Sequence, residues 1–118
     1  MMTDDPFSFE CQSGKASGIR IYRLQGPLTL RNLFGFQAEL RNGQPPLVAI
    51  FDLTGVPYMD SAGMGALINY FVHCEKNGVE MIVAGASSRV MELFKLTKVD
   101  SVIPLAATAE AAEAKVKV

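Results

Sequence analysis

The segment Tyr58-Met59-Asp60-Ser61-Ala62-Gly63-Met64-Gly65-Ala66-Leu67 follows the apolar run Leu47-Val48-Ala49-Ile50-Phe51-Asp52-Leu53 across the turn Thr54-Gly55-Val56-Pro57. A nearly continuous apolar run is what a strand covered on both faces requires. From Ser61 the period changes. Met64, Leu67, Phe71 and Cys74 fall on one side of a 100° wheel, and Ala62, Gly65, Asn69, His73 and Lys76 on the other. That pattern predicts a helix from Ser61 to about Asn77, stopped by Gly78. A buried strand, a tight turn and an amphipathic helix form the first half of a parallel crossover unit.

The rest of the chain fits around this unit. Phe7–Gln12 and Ile19–Leu24 alternate apolar and polar residues, with Ser13–Gly18 between them as turn residues, which predicts a hairpin with one wet face. Gly26-Pro27 ends the second strand. Thr29 is placed to cap a helix running to about Asn42-Gly43, with Leu30, Leu33 and Leu40 inward and Gly35 costing about 1 kcal/mol relative to alanine. Beyond the central helix, Glu80–Gly85 reads as a strand. Ser87-Ser88 opens a helix with Val90, Leu93, Phe94 and Thr97 inward. Val102–Leu105 reads as a short edge strand, and Thr108 caps a last helix ending near Val116. The expected fold is α/β: a mixed four- to five-stranded sheet, an N-terminal β-hairpin followed by a parallel βαβαβ part, with helices packed on the sheet.

Composition limits the function classes. The 118 residues fit one domain, with 49% hydrophobic and 19% charged residues. A formal net charge of −1 speaks against nucleic-acid binding, which needs a clustered basic surface. The N-terminal Met1–Pro6 is acidic and does not read as a signal peptide, and no apolar run reaches the length of a membrane span, so a cytoplasmic protein without membrane insertion is expected. Cys11 and Cys74 make neither a disulfide framework nor a metal set. Catalysis has little support. Met59 breaks a G-x-S-x-G elbow, and on one helix Ser61 and the single histidine, His73, stand about 18 Å apart. No catalytic residue, cofactor or metal ligand is assigned.

What Ser61 offers instead is position. A serine at the start of a helix lies beside backbone N–H groups with no intrahelical partner and at the positive end of the dipole, where an added phosphate is tolerated. The small residues after it leave room for a partner. The bland alternative is a plain N-terminal helix serine with Asp60 as its cap. Gly63 and Gly65 each cost up to about 1 kcal/mol in a first turn, so clearance for a partner or close packing on the sheet has to explain them.

The segment Asp60-Ser61-Ala62-Gly63-Met64-Gly65, with Leu24-x-Gly26-x-Leu28 and Phe51-Asp52-Leu53, resembles the STAS domain and, within it, the bacterial anti-sigma factor antagonists. The similarity runs from about Phe7 to Val116 and implies a single STAS domain over 1–118. It implies that Ser61 is phosphorylated by a partner that is both a serine kinase and an anti-sigma factor. The unphosphorylated antagonist sequesters that partner and frees the sigma factor, phosphorylation releases it, and a serine phosphatase resets it. Asp60, Ser61, Ala62, Gly63, Gly65 and Asn69 are the expected partner-binding residues. Thr29 stands where many relatives carry aspartate. The alternative is a constitutive STAS subunit of a stress-signalling scaffold or of a lipid-transport ATPase complex.

Overall fold

The computed structural model describes residues 7–40 and 44–116. Among the described residues five strands form one sheet in the order β1-β2-β3-β4-β5: β1 Ser8–Ser13, β2 Ile19–Gln25, β3 Val48–Gly55, β4 Glu80–Ala84 and β5 Leu105–Ala106. The first pair is antiparallel and the other three are parallel. Helices α1 (Leu33–Leu40), α2 (Ser61–Lys76) and α3 (Ser88–Leu96) make the crossovers, and α4 (Ala109–Lys115) closes the chain.

Strand alternation sorts the core into two layers. On one side of the sheet Tyr22, Phe51, Leu53, Met81 and Val83 meet α1, α2 and α3. On the other, Ile19, Ile21, Val48, Ile50 and Ile82 meet Ala109 and Ala112 of α4. β3 is central and buried through Leu53, which is why its sequence shows no polar alternation. Phe51 anchors the larger layer, stacked on Tyr22 at 4.9 Å and edge-on to Phe36 at 5.9 Å and Tyr70 at 5.5 Å. Such ring pairs add about 0.5–1.5 kcal/mol each beyond area burial. Burial raises the Tyr70 hydroxyl well above its ordinary range and pushes the Cys74 thiol up to about 11.

Several elements differ from the sequence expectation. The first helix begins at Leu33, because Thr29–Asn32 form a turn in which the Thr29 carbonyl accepts from Asn32 N (2.9 Å) and Leu33 N (3.0 Å). Leu30 is 56% exposed, and Phe36 takes the inward position assigned to it. The helix end expected near Asn42-Gly43 lies outside the described residues. On α2, Ala66 and Tyr70 are buried and Phe71 only partly so. Thr97 does not face inward: it is exposed, and its hydroxyl donates to Leu93 O at 2.8 Å at the end of α3. The last strand is Leu105–Ala106, because Val99–Ser101 forms a 3-10 turn that leaves Val102 exposed. Pro104, lacking an N–H, still supplies its carbonyl to Val83 N at 3.0 Å.

Candidate functional site

The carboxyl ends of β2 and β3 lie side by side, and the loops leaving them are bonded together. Gly26 N donates to Gly55 O (2.9 Å), Leu28 N to Tyr58 O (3.2 Å), and Asp60 N to Leu28 O (3.2 Å). Below them the buried Asp52 fixes the chain as it leaves β3. Its Oδ1 accepts from Thr54 N (3.0 Å) and Thr54 Oγ1 (2.6 Å), and its Oδ2 accepts from Arg23 Nη1 (2.6 Å). A Cβ at Gly85, whose φ is +71°, would run into Thr54 Oγ1, so only glycine lets the loop after β4 pass so near.

On this platform Asp60 caps α2. Its backbone is extended, its Oδ1 accepts from Gly63 N at 2.9 Å, and its carbonyl accepts from Met64 N at 3.0 Å. Its Oδ2 accepts from Leu30 N at 3.1 Å, in the turn before α1. One carboxylate therefore holds both the first turn of α2 and the turn that precedes α1. Ser61 comes next, at the first helical position and exposed. Dipole and free amides make this position favourable for an anion, and the adjacent Asp60 charge opposes it.

The residues expected at the site divide into two groups. Ser61, Asp60 and Asn69 are exposed, and Ala62 and Gly65 are half-buried. A Cβ at Gly65 would meet nothing within 4 Å. Gly63 is a correction, because it is buried and a Cβ there would overlap the Leu28 carbonyl oxygen. Its lack of a side chain lets α2 pack against the β2–α1 loop and provides no clearance for a partner. His73 is exposed, with its ring 5.8 Å from that of Tyr70.

Sequence reasoning missed part of the surroundings. Ile68 and Val72 are exposed and share an α2 face with Ser61 and Gly65, at the i, i+4, i+7, i+11 spacing of one stripe. The helical wheel carries the signal, since it sets both residues on the side of Ser61 and Gly65. Leu30, Arg31, Tyr58 and Asp60 line a depression of about 270 Å³ beside the head of α2. Arg89, from the first turn of α3, lies 4.9 Å over the Tyr58 ring.

The family model described as the STAS domain matches residues 12–112. The chain belongs to the STAS domain family. Among curated STAS relatives, it is 34% identical over 59 residues to the "Anti-sigma-B factor antagonist" of Listeria monocytogenes, an alignment taking in 50% of this chain and 52% of that protein. The chain thus spans about half the length of the curated relatives it matches. Its STAS fold superposes on the phosphorylated form of the Bacillus cell fate determinant SpoIIAA with a TM-score of 0.74 at 18% identity, covering 93% of this chain and 100% of that one. A sulfate transporter family protein from Wolinella succinogenes is 26% identical, with a TM-score of 0.69 over 83% of this chain and 85% of the other. The mixed sheet of the STAS fold is the architecture expected from the sequence, with five strands.

Proposed function

We propose that this STAS domain is an anti-sigma factor antagonist, a cytoplasmic protein-binding module switched at Ser61. The exposed serine at the head of α2 carries the reading, together with the likeness to the Listeria antagonist. Unphosphorylated, the module sequesters an anti-sigma factor that is also a serine kinase. Asp60, Ser61, Ala62, Gly65 and Asn69 form the centre of contact, and Ile68 and Val72 supply apolar area to bury. The kinase transfers the γ-phosphoryl group of ATP to Ser61 Oγ. ADP leaves, and the hydroxyl proton passes to a base of the kinase. A serine phosphatase restores the hydroxyl.

The chemistry suits a switch that leaves the fold intact. A phosphate adds about −1.5 to −2 charges. At a helix N-terminus that charge is partly offset, so the domain stays folded. In an interface built around a neutral hydroxyl, the same anion is desolvated beside Asp60, which is costly without a cation. A penalty of only about 1.4 kcal/mol changes affinity tenfold.

Calorimetry with the candidate anti-sigma factor tests this. Ser61→Ala is expected to bind as tightly as the unmodified protein, and Ser61→Glu at least about tenfold more weakly. Equal affinity of the two variants would contradict the switch. It would favour a second reading, suggested by the likeness to the sulfate transporter family protein, in which the domain is a constitutive STAS module of a larger assembly.

A further inference from the structure

We infer that Asp60 is a positioning residue of the switch, holding Ser61 and the Leu30 turn as one surface and passing a charge placed on Ser61 to that turn. The inference rests on the reading of Ser61 as the phosphorylated residue. Asp60 stands in the proposed contact surface, and both its carboxylate oxygens are also engaged within the fold, Oδ1 by Gly63 N at 2.9 Å and Oδ2 by Leu30 N at 3.1 Å. The two donors lie on different elements, the first turn of α2 and the turn leading into α1. Around this carboxylate the loops are already joined through Leu28, whose N donates to Tyr58 O and whose O accepts from Asp60 N. Gly63, pressed against the Leu28 carbonyl, leaves the head of α2 no room to slide. The turn that carries the exposed Leu30 is thereby tied to Asp60, the neighbour of Ser61, although 30 residues separate Leu30 from Asp60 in sequence.

A charge on Ser61 acts on this arrangement directly. Phosphoserine and the Asp60 carboxylate are adjacent anions at one helix terminus, drawn to the same first-turn amides. Their repulsion is relieved most readily at the bond leading away from α2, the longer one to Leu30 N. The turn then loses its anchor while the α2 cap through Gly63 N persists. The partner meets a new charge and a loosened flank together.

Two substitutions isolate the bond without deleting the cap. In Asp60→Asn the side-chain oxygen still accepts from Gly63 N, as asparagine caps about as well as aspartate, but the amide nitrogen cannot accept from Leu30 N. Leu30→Pro removes the donor from the other end and leaves Asp60 charged, at a turn position that proline suits. Leu30→Ala keeps the donor and controls for the lost side chain. The experiment is NMR amide exchange and chemical shift on the full chain, with serine or genetically encoded phosphoserine at position 61. In the serine form, Asp60→Asn is expected to speed Leu30 amide exchange about tenfold, the scale of one lost hydrogen bond. Phosphoserine is expected to do the same in the parent chain and to add less than twofold in Asp60→Asn. Leu30→Pro, having no amide at 30, is read at Arg31 and Asn32, whose shifts should no longer respond to phosphoserine; in Leu30→Ala they should respond as in the parent.

Unchanged Leu30 exchange in Asp60→Asn would overturn the positioning role, as would an equal response to phosphoserine with and without the Asp60 carboxylate. Failure of the Ser61 reading is seen separately, as equal partner affinity of Ser61→Ala and Ser61→Glu, and it removes the switch whatever the exchange data show.

Discussion

Gly63 and Gly65 lie on the same helical turn and do opposite things. Alanine at 65 enters open space and gains helix propensity, so Gly65→Ala should stabilise the domain by up to about 1 kcal/mol. Alanine at 63 meets the Leu28 carbonyl, so Gly63→Ala should destabilise by about 1–3 kcal/mol, the range for overpacking a tight site. Urea unfolding of the two variants checks this; equal effects would contradict the packing of α2 on the β2–α1 loop. Partner affinity separates stability from clearance, since Gly65→Ala should weaken binding while raising stability. The cap itself was legible, because Asp60 followed by Ser61 and small residues is a recognisable helix start. The role of Gly63 and the second bond of Asp60 were not. Both depend on Leu28 and Leu30, brought alongside only by the parallel pairing of β2 with β3.

At the scale of elements, strands and helices with strong periodicity were legible, and the misplacements have local causes. The first helix starts late because Thr29–Asn32 close a turn on the Thr29 carbonyl, and that turn is tied at Leu30 N to the Asp60 carboxylate, a contact no local pattern encodes. The last strand shifts because Val102 N and Ile103 N both donate to Val99 O, closing the 3-10 turn at Val99–Ser101 with the first residues of the expected strand. The inner face of α2 carries a pH dependence of its own. Burial raises the Cys74 thiol from 9.0 to about 11 and raises the Tyr70 hydroxyl as well. Above pH 9 the unfolded chain releases these protons before the folded one, so the folded state binds more protons and stability falls as pH rises. Urea midpoints measured from pH 8 to 11 should therefore decline, and Cys74→Ala should decline less steeply. Identical slopes would contradict a buried, protonated thiol at position 74.

The whole molecule separates support from exposure. α1, α2 and α3 cover one face of the sheet and α4 the other, while the loops after β2 and β3 meet at one end, where the head of α2 projects. That gathering of loops at the strands' carboxyl ends follows from parallel crossovers, so the place of the candidate site in the fold was legible along with the fold. The identity of the partner was not, because an exposed hydroxyl and an apolar stripe do not encode a sequence to bind. The proposed switch therefore turns on the chemistry of Ser61. The most direct measurement is intact mass with phosphosite mapping after incubation with ATP and the candidate serine kinase, beside a Ser61→Ala control. A single phosphate at Ser61, lost in the control, is the expected result. A chain that forms a tight complex with that kinase and gains no phosphate, or gains one elsewhere that survives in Ser61→Ala, would contradict it.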